Sequence, residues 1–183
     1  SAKFKFSGIS AHAAGSPHKG RSALDGVEAM NMMVNMMREH IPQESRIHYV
    51  ITKGGLAPNV IPDVAEVYYY VRNPRREKVK EIFNWVVKAA EGAAMGTETT
   101  MKYEVMHGNY SKLPNHTLQK IMYDNLVKRG GVKYSDKEKV YAEEIYKTML
   151  SPGSKIGDQE KVSPYRSSHT YGSTDVGDVS WVV

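Results

Sequence analysis

The first 107 residues predict an α+β fold of the ferredoxin-like kind, with a four-stranded antiparallel sheet carrying two helices on one face. Three observations lead there. Four short segments alternate polar and apolar residues, two longer ones repeat apolar residues every three or four positions, and the segments follow one another as β-α-β-β-α-β.

The first strand is Lys3–Ser7, where charged and aromatic residues alternate. Residues 8–20 are rich in Gly, Ser, Ala and Pro and read as a loop. From Arg21 to His40, Ala23, Val27, Met30, Val34 and Met37 recur at helical spacing. Leu24, Met33 and Met36 widen that stripe, which predicts a well-buried helix ended by Pro42. Arg46–Lys53 is the second strand, with Ile47, Tyr49 and Ile51 on one face, broken by Gly54-Gly55. Val64–Arg72 is the third, with Ala65, Val67, Tyr69 and Val71 facing one way, and Glu66, Tyr68, Tyr70 and Arg72 the other. After Pro74 a second helix runs from Arg76 to Met95 on Val79, Ile82, Val86, Ala89 and Ala93, and Thr99–Met106 is the fourth strand.

Residues 108–183 are different. Leu118, Ile121, Met122 and Leu126 predict a helix capped by Asn115 and ended at Gly130-Gly131. Ser135 and Glu138 form an S-x-x-E capping box before another, carrying Tyr141, Ile145 and Met149. From Ser151 onward no element is evident, and a structureless stretch of that length is expected to lie against other parts of a longer protein. The start, Ser1-Ala2, reads as the remainder of a cut, and the end stops on apolar residues without a cap. Both ends are therefore expected to be cuts.

Composition narrows the chemistry. The 25 Lys and Arg stand against 20 Asp and Glu, and the surplus is spread evenly, +3 over residues 1–108 and +2 over 109–183. Nucleic-acid binding calls for clustered charge. Tyr68, Tyr69 and Tyr70 resemble the stacking platform of RNA-binding domains of this topology, but the basic-Gly-aromatic pattern is absent and neighbouring strand residues face opposite ways, so sheet packing is the better reading. With 0 cysteines the chain has no disulfide, thiolate metal site or Cys nucleophile, which fits a reducing, cytoplasmic setting. No run approaches the roughly 20 apolar residues of a membrane span.

Three places carry candidate chemistry. His12 sits in "SAHAAGSPH" among residues small enough to let substrate or backbone approach, and an imidazole there can donate to a developing oxyanion or simply bond its own loop. His12 and His18 are six apart with no acid between, a poor metal pair. Asn59 in the turn and Arg72 near the strand end could form a carboxylate clamp, or serve as turn-former and surface charge. The loop "GSTDVGD" offers Gly172 and Ser173 as backbone contacts to a ligand, and His169 nearby has no assigned role.

Together, "FSGISAHAAGSPHKGRSALDGVEAMN", "GGLAPNVIPDVAEVYYYVRNP" and "GSTDVGDVSWVV" resemble the di-metal amidohydrolases that include aminoacylases and glutamate carboxypeptidases. The resemblance implies that residues 1–107 are a lid and homodimerisation domain and residues 108–183 part of the interrupted catalytic domain. It implies that His12 reaches the scissile carbonyl in the active site of the other protomer, that Asn59 and Arg72 hold the substrate, and that the arginine grips a carboxylate. It further implies hydrolysis of an N-acyl amino acid by a parent enzyme with two divalent metals, zinc or manganese, and leaves room for a related second type of chain. The family's Gly-His-x-Asp and placed Glu-Glu are missing, and Glu143-Glu144 sits on an amphipathic helix outside any such context. This chain is therefore expected to bind no metal and to be inert alone. The rival reading is a stand-alone dimerisation or ligand-binding module.

Overall fold

A computed structural model of the protein describes residues 1–167 and 174–182. The chain divides into two compact units, Ser1–Lys112 with Thr174–Val183, and Leu113–Ser173.

The first unit contains strands β1 (Ala2–Ser7), β2 (Arg46–Lys53), β3 (Val64–Arg72) and β4 (Thr100–Val105), with helices α1 (Ala23–Met37) and α2 (Arg76–Gly96). The sheet order is β2-β3-β1-β4 and every pairing is antiparallel, the arrangement expected of a β-α-β-β-α-β chain. Alternation explains the layers. Phe4, Phe6, Ala65, Val67 and Tyr69 point to the helices and are fully buried, while Lys3, Lys5, Glu66, Tyr68 and Tyr70 occupy the open face. Gly26 allows α1 to lie directly on β1, since a Cβ there would come within 2.5 Å of the Phe6 ring. Alanines 89, 90, 93 and 94 bury the facing side of α2. The Tyr69 hydroxyl donates to Asn31 Oδ1 at 2.5 Å, and burial pushes its pKa up, so the phenol remains neutral.

One expectation about burial fails. Met33 and Met36 are 41% and 63% exposed, as Met32 also is at 59%. The buried stripe of α1 is Ala23, Gly26, Val27, Met30, Asn31, Val34 and Met37, so the face that meets the sheet includes a polar residue and leaves the other methionines on the flank. Only Ile47 of β2 is buried; Tyr49 and Ile51 share its side but lie in an edge strand that the helices do not fully cover. Helix α1 also begins at Ala23 rather than Arg21. The Arg21 N–H and C=O pair with Ile9, and the Ser22 hydroxyl caps the helix by accepting from Asp25 N.

In the second unit, α3 (His116–Arg129) and α4 (Asp136–Lys147) carry the expected caps at Asn115 and at the Ser135–Glu138 box, whose hydrogen bonds hold the Glu138 carboxyl below its usual pKa. Neither helix has a buried residue. The late segment forms only a 3-10 turn at Asp158–Glu160 and α5 (Val176–Val179) among the described residues. The latter packs in the first unit: Asp178 accepts from Tyr110 N at 2.7 Å, and Trp181 Nε1 donates to Ser111 O at 2.8 Å. Among the described residues no helix is long and apolar enough to cross a membrane.

Replacing Tyr69 by Phe should strand the buried Asn31 oxygen. The expected loss is about 1–3 kcal/mol of stability, read by urea denaturation; an unchanged midpoint would show that the bond is not stabilising.

Candidate functional site

The loop after β1 is fixed at both flanks by backbone bonds. Gly8 N–H donates to Asp63 O at 2.8 Å, Ile9 and Arg21 exchange two bonds of 2.8 Å, and Ile61 N–H donates to Ala11 O at 3.0 Å. Gly8 is required by this closeness, since a Cβ there would come within 1.9 Å of the Arg21 carbonyl oxygen. Residues 11–13 run antiparallel to 59–61: His12 pairs with Val60, and Ala13 N–H donates to Asn59 O at 3.0 Å. His12 and Asn59, 47 positions apart in sequence, thus lie on neighbouring segments at one end of the sheet.

The residues after His12 turn back on its ring. Gly15 N–H donates to Nδ1 at 2.9 Å and Ala14 N–H at 3.2 Å. Backbone N–H groups only donate, so Nδ1 must present its lone pair. In the neutral ring the proton therefore sits on Nε2. His12 is exposed, and it offers an N–H donor whose other nitrogen is held by its own loop. The two readings of His12, oxyanion donor or loop-bonded residue, turn out not to compete: the loop bonds set which nitrogen donates.

Arg72 is elsewhere. It ends β3, eight residues beyond Val64, which is about 26 Å at roughly 3.3 Å per residue. It lies on the open face and its side chain makes no hydrogen bond or ion pair among the described residues. Its charge acts on Tyr70, partly offsetting the rise in that phenol's pKa that comes chiefly from its hydrogen bond to Tyr68. Tyr68 shifts the other way, lowered by bonds from Ser1 and Tyr70. So the structure joins His12 with Asn59 and separates both from Arg72 within one chain. His18 is exposed on the 3-10 turn Pro17–Lys19. Gly172, Ser173 and His169 lie outside the described residues.

Residues 1–98 match the family model described as a peptidase dimerisation domain. The chain belongs to that family. The dimerisation domain and its continuation are 39% identical to one of the subunits of p-aminobenzoyl-glutamate hydrolase of Escherichia coli (strain K12), over 98% of this chain and 43% of that protein. Xaa-Arg dipeptidase of Mus musculus is 28% identical over 98% of this chain and 36% of its own length. The chain thus spans less than half the length of these relatives. Among solved structures, an aminobenzoyl-glutamate utilization protein from Klebsiella pneumoniae superposes with a TM-score of 0.56 at 22% identity, over 69% of this chain and 32% of that one. An amidase of the hydantoinase/carbamoylase family from Burkholderia vietnamiensis gives 0.59 at 16% identity, over 70% and 31%. These superpositions establish the fold.

One residue beside Arg72 is not singled out by the sequence pattern. Arg46 stands directly opposite Arg72 in the β2–β3 register. Alternation alone could have put it on the open face, but not opposite a particular partner.

The loop geometry predicts the Nε2–H tautomer for neutral His12, to be read from the ¹⁵N shifts and two-bond couplings of a labelled sample at alkaline pH. A ring protonated at Nδ1 would contradict the two backbone bonds.

Proposed function

We propose that this chain is the lid and dimerisation portion of a metal-dependent amidohydrolase that cleaves the amide bond of N-acyl amino acids, with p-aminobenzoyl-glutamate yielding p-aminobenzoate and glutamate. The observation that carries the reading is His12, exposed with its Nε2–H outward and its Nδ1 held by two backbone donors. Such a donor can bond a scissile carbonyl oxygen more strongly as negative charge develops on it, and pre-fixed orientation spares the cost of reorganising at that moment. Asn59 adds a side-chain amide beside it, and Arg72 a fork for a substrate carboxylate. The likeness to the E. coli hydrolase supports the substrate. Gly172 and Ser173 are proposed as further substrate contacts, and the protein as cytoplasmic.

The metal centre does not fit the described residues. Among the described residues no group of three or more His, Asp or Glu could hold an ion. Glu143 and Glu144 are exposed on α4. Two divalent metals, zinc or manganese, would belong to the remainder of a longer protein, whose catalytic domain residues 108–183 would join. Helices with no buried residue suit that role.

The length of β3 decides how the lid residues can cooperate. One small substrate cannot touch both His12 and Arg72 of the same chain across about 26 Å of strand. The reading therefore requires two copies, one supplying His12 and Asn59 and the other Arg72. The unpaired outer edge of β2, where Tyr49 and Ile51 stay partly exposed on the helix side, gives an apolar margin suited to that homodimer. A related second type of chain is a further proposal, suggested by the E. coli relative being one of the subunits of its hydrolase.

Complementation tests this directly in the longer protein. His12→Ala and Arg72→Ala should each abolish most hydrolysis of p-aminobenzoyl-glutamate. Coexpressed, half of the dimers would be mixed, each with one intact composite site, restoring about a quarter of wild-type activity by random pairing. No restoration would mean that the residues act within one chain or not at all. For the interface, Ile51→Glu on that edge should convert the dimer to a monomer in sedimentation velocity with secondary structure kept; a persisting dimer would move the interface elsewhere.

A further inference from the structure

We propose that Arg46 is a second carboxylate-binding residue paired with Arg72, and that the two select glutamyl substrates, which carry two carboxylates, over acyl amino acids carrying one. The inference rests on the amidohydrolase reading for its biological sense, but on the sheet register for its geometry.

Arg46 and Arg72 are direct cross-strand partners, so their side chains leave the same face of the sheet with Cβ atoms about 5 Å apart. Ile47 and Val71, the next residues, point into the core, which places both arginines on the open face. Like charges directly opposite one another destabilise a sheet, and no acid among the described residues pairs with either. The open-face acid on the same strand, Glu66, is three rungs away and already meets Lys3 at 3.8 Å and the Thr52 hydroxyl at 2.8 Å. Glu44, beside Arg46 in the turn, faces Arg75 at 3.6 Å. Arg76 lies over the Tyr110 ring at 4.3 Å. Of the four arginines at this corner, two therefore have a counter-charge or a ring. Arg46 donates only to the carbonyl oxygens of Gln43 and Ser45, at 2.6 and 2.7 Å, both through Nη1. Those bonds hold the side chain without neutralising it and leave Nε and Nη2 for a ligand. The Arg72 side chain makes no hydrogen bond among the described residues.

Two adjacent guanidinium groups without an acid match a dianion better than a single carboxylate, because each planar fork can take one carboxylate in a bidentate manner. In a glutamyl group the two carboxylates are separated by three carbons, a span comparable to the spacing of cross-strand neighbours. The next open-face rung, His48 opposite Tyr70, would flank the bound chain with donors rather than with negative charge.

The test uses the chain itself, titrated with glutarate and with butyrate and followed by NMR at the arginine side chains. Glutarate should bind at least ten-fold more tightly. Arg46→Gln should bring that ratio close to one and leave butyrate affinity unchanged, whereas Arg72→Gln should weaken both acids. Arg46→Lys, which keeps charge but not the fork, should recover only part of the ratio. A role confined to holding the Gln43–Ser45 turn would lower the melting temperature of Arg46→Gln and leave the ratio intact, which would overturn the proposal. Equal response to the two acids in the unaltered chain would overturn it too. Should the ratio hold while the longer protein hydrolyses no N-acyl amino acid, the amidohydrolase reading fails and the carboxylate pair stands. Should p-aminobenzoyl-glutamate be cleaved without any such ratio, the pair alone fails.

Discussion

Strand β3 is the member on which the remaining structure depends. It pairs with both β1 and β2, and its inward residues Ala65, Val67 and Tyr69 complete the core beneath α1. Its start carries the turn that holds Asn59 beside His12, and its end presents Arg72. Because an extended strand cannot shorten, the segments bearing His12 and Asn59 are held apart from Arg72 within one chain. Under the proposed function, pairing of copies would be part of the chemistry, since a single copy would hold the halves of two sites and no complete one.

The same sheet accounts for how the site is stiffened. The loop bearing His12 has no helix or strand of its own, yet it is bonded to the segment before β3 and to Arg21 ahead of α1. These bonds are between backbone atoms, and the His12 side chain is held in addition through Nδ1 by the Ala14 and Gly15 N–H groups. The core beneath is closed by Phe4 edge-on to Tyr69 at 5.8 Å and by the Tyr69–Asn31 bond, which fixes where α1 sits over the sheet. A loop anchored at both flanks on such a layer can present one imidazole with little conformational freedom left to lose on binding.

Much of this was legible in the sequence. Alternation set β2 and β3 to their observed limits, and the caps at Asn115 and Ser135 marked α3 and α4, because both signals are local. What was not legible depends on partners distant in the chain. Met33 and Met36 look like core residues because hydrophobicity is the same whether the surface is covered by this chain or by another. Arg46 could be placed on a face but not opposite Arg72, since the long connection between β2 and β3 leaves the register open and the pairing shifts between Ile51 and Lys53. That residues 11–13 run beside 59–61, bringing His12 next to Asn59 in the fold, was not legible from local pattern.

The small residues around His12 have a more specific reason than room for substrate. A ring nitrogen can accept from N–H groups two and three residues later only if the chain turns tightly and nothing large intervenes, and Ala13, Ala14 and Gly15 provide that turn. The consequence is chemical. With Nδ1 committed to two donors, the imidazole can meet a carbonyl oxygen only as an Nε2–H donor, and it cannot use Nδ1 to take up a proton without breaking those bonds. A general base must accept; an oxyanion stabiliser must donate. Under the proposed function, the loop would therefore fit His12 for stabilising charge on the substrate oxygen and leave activation of water to groups outside it.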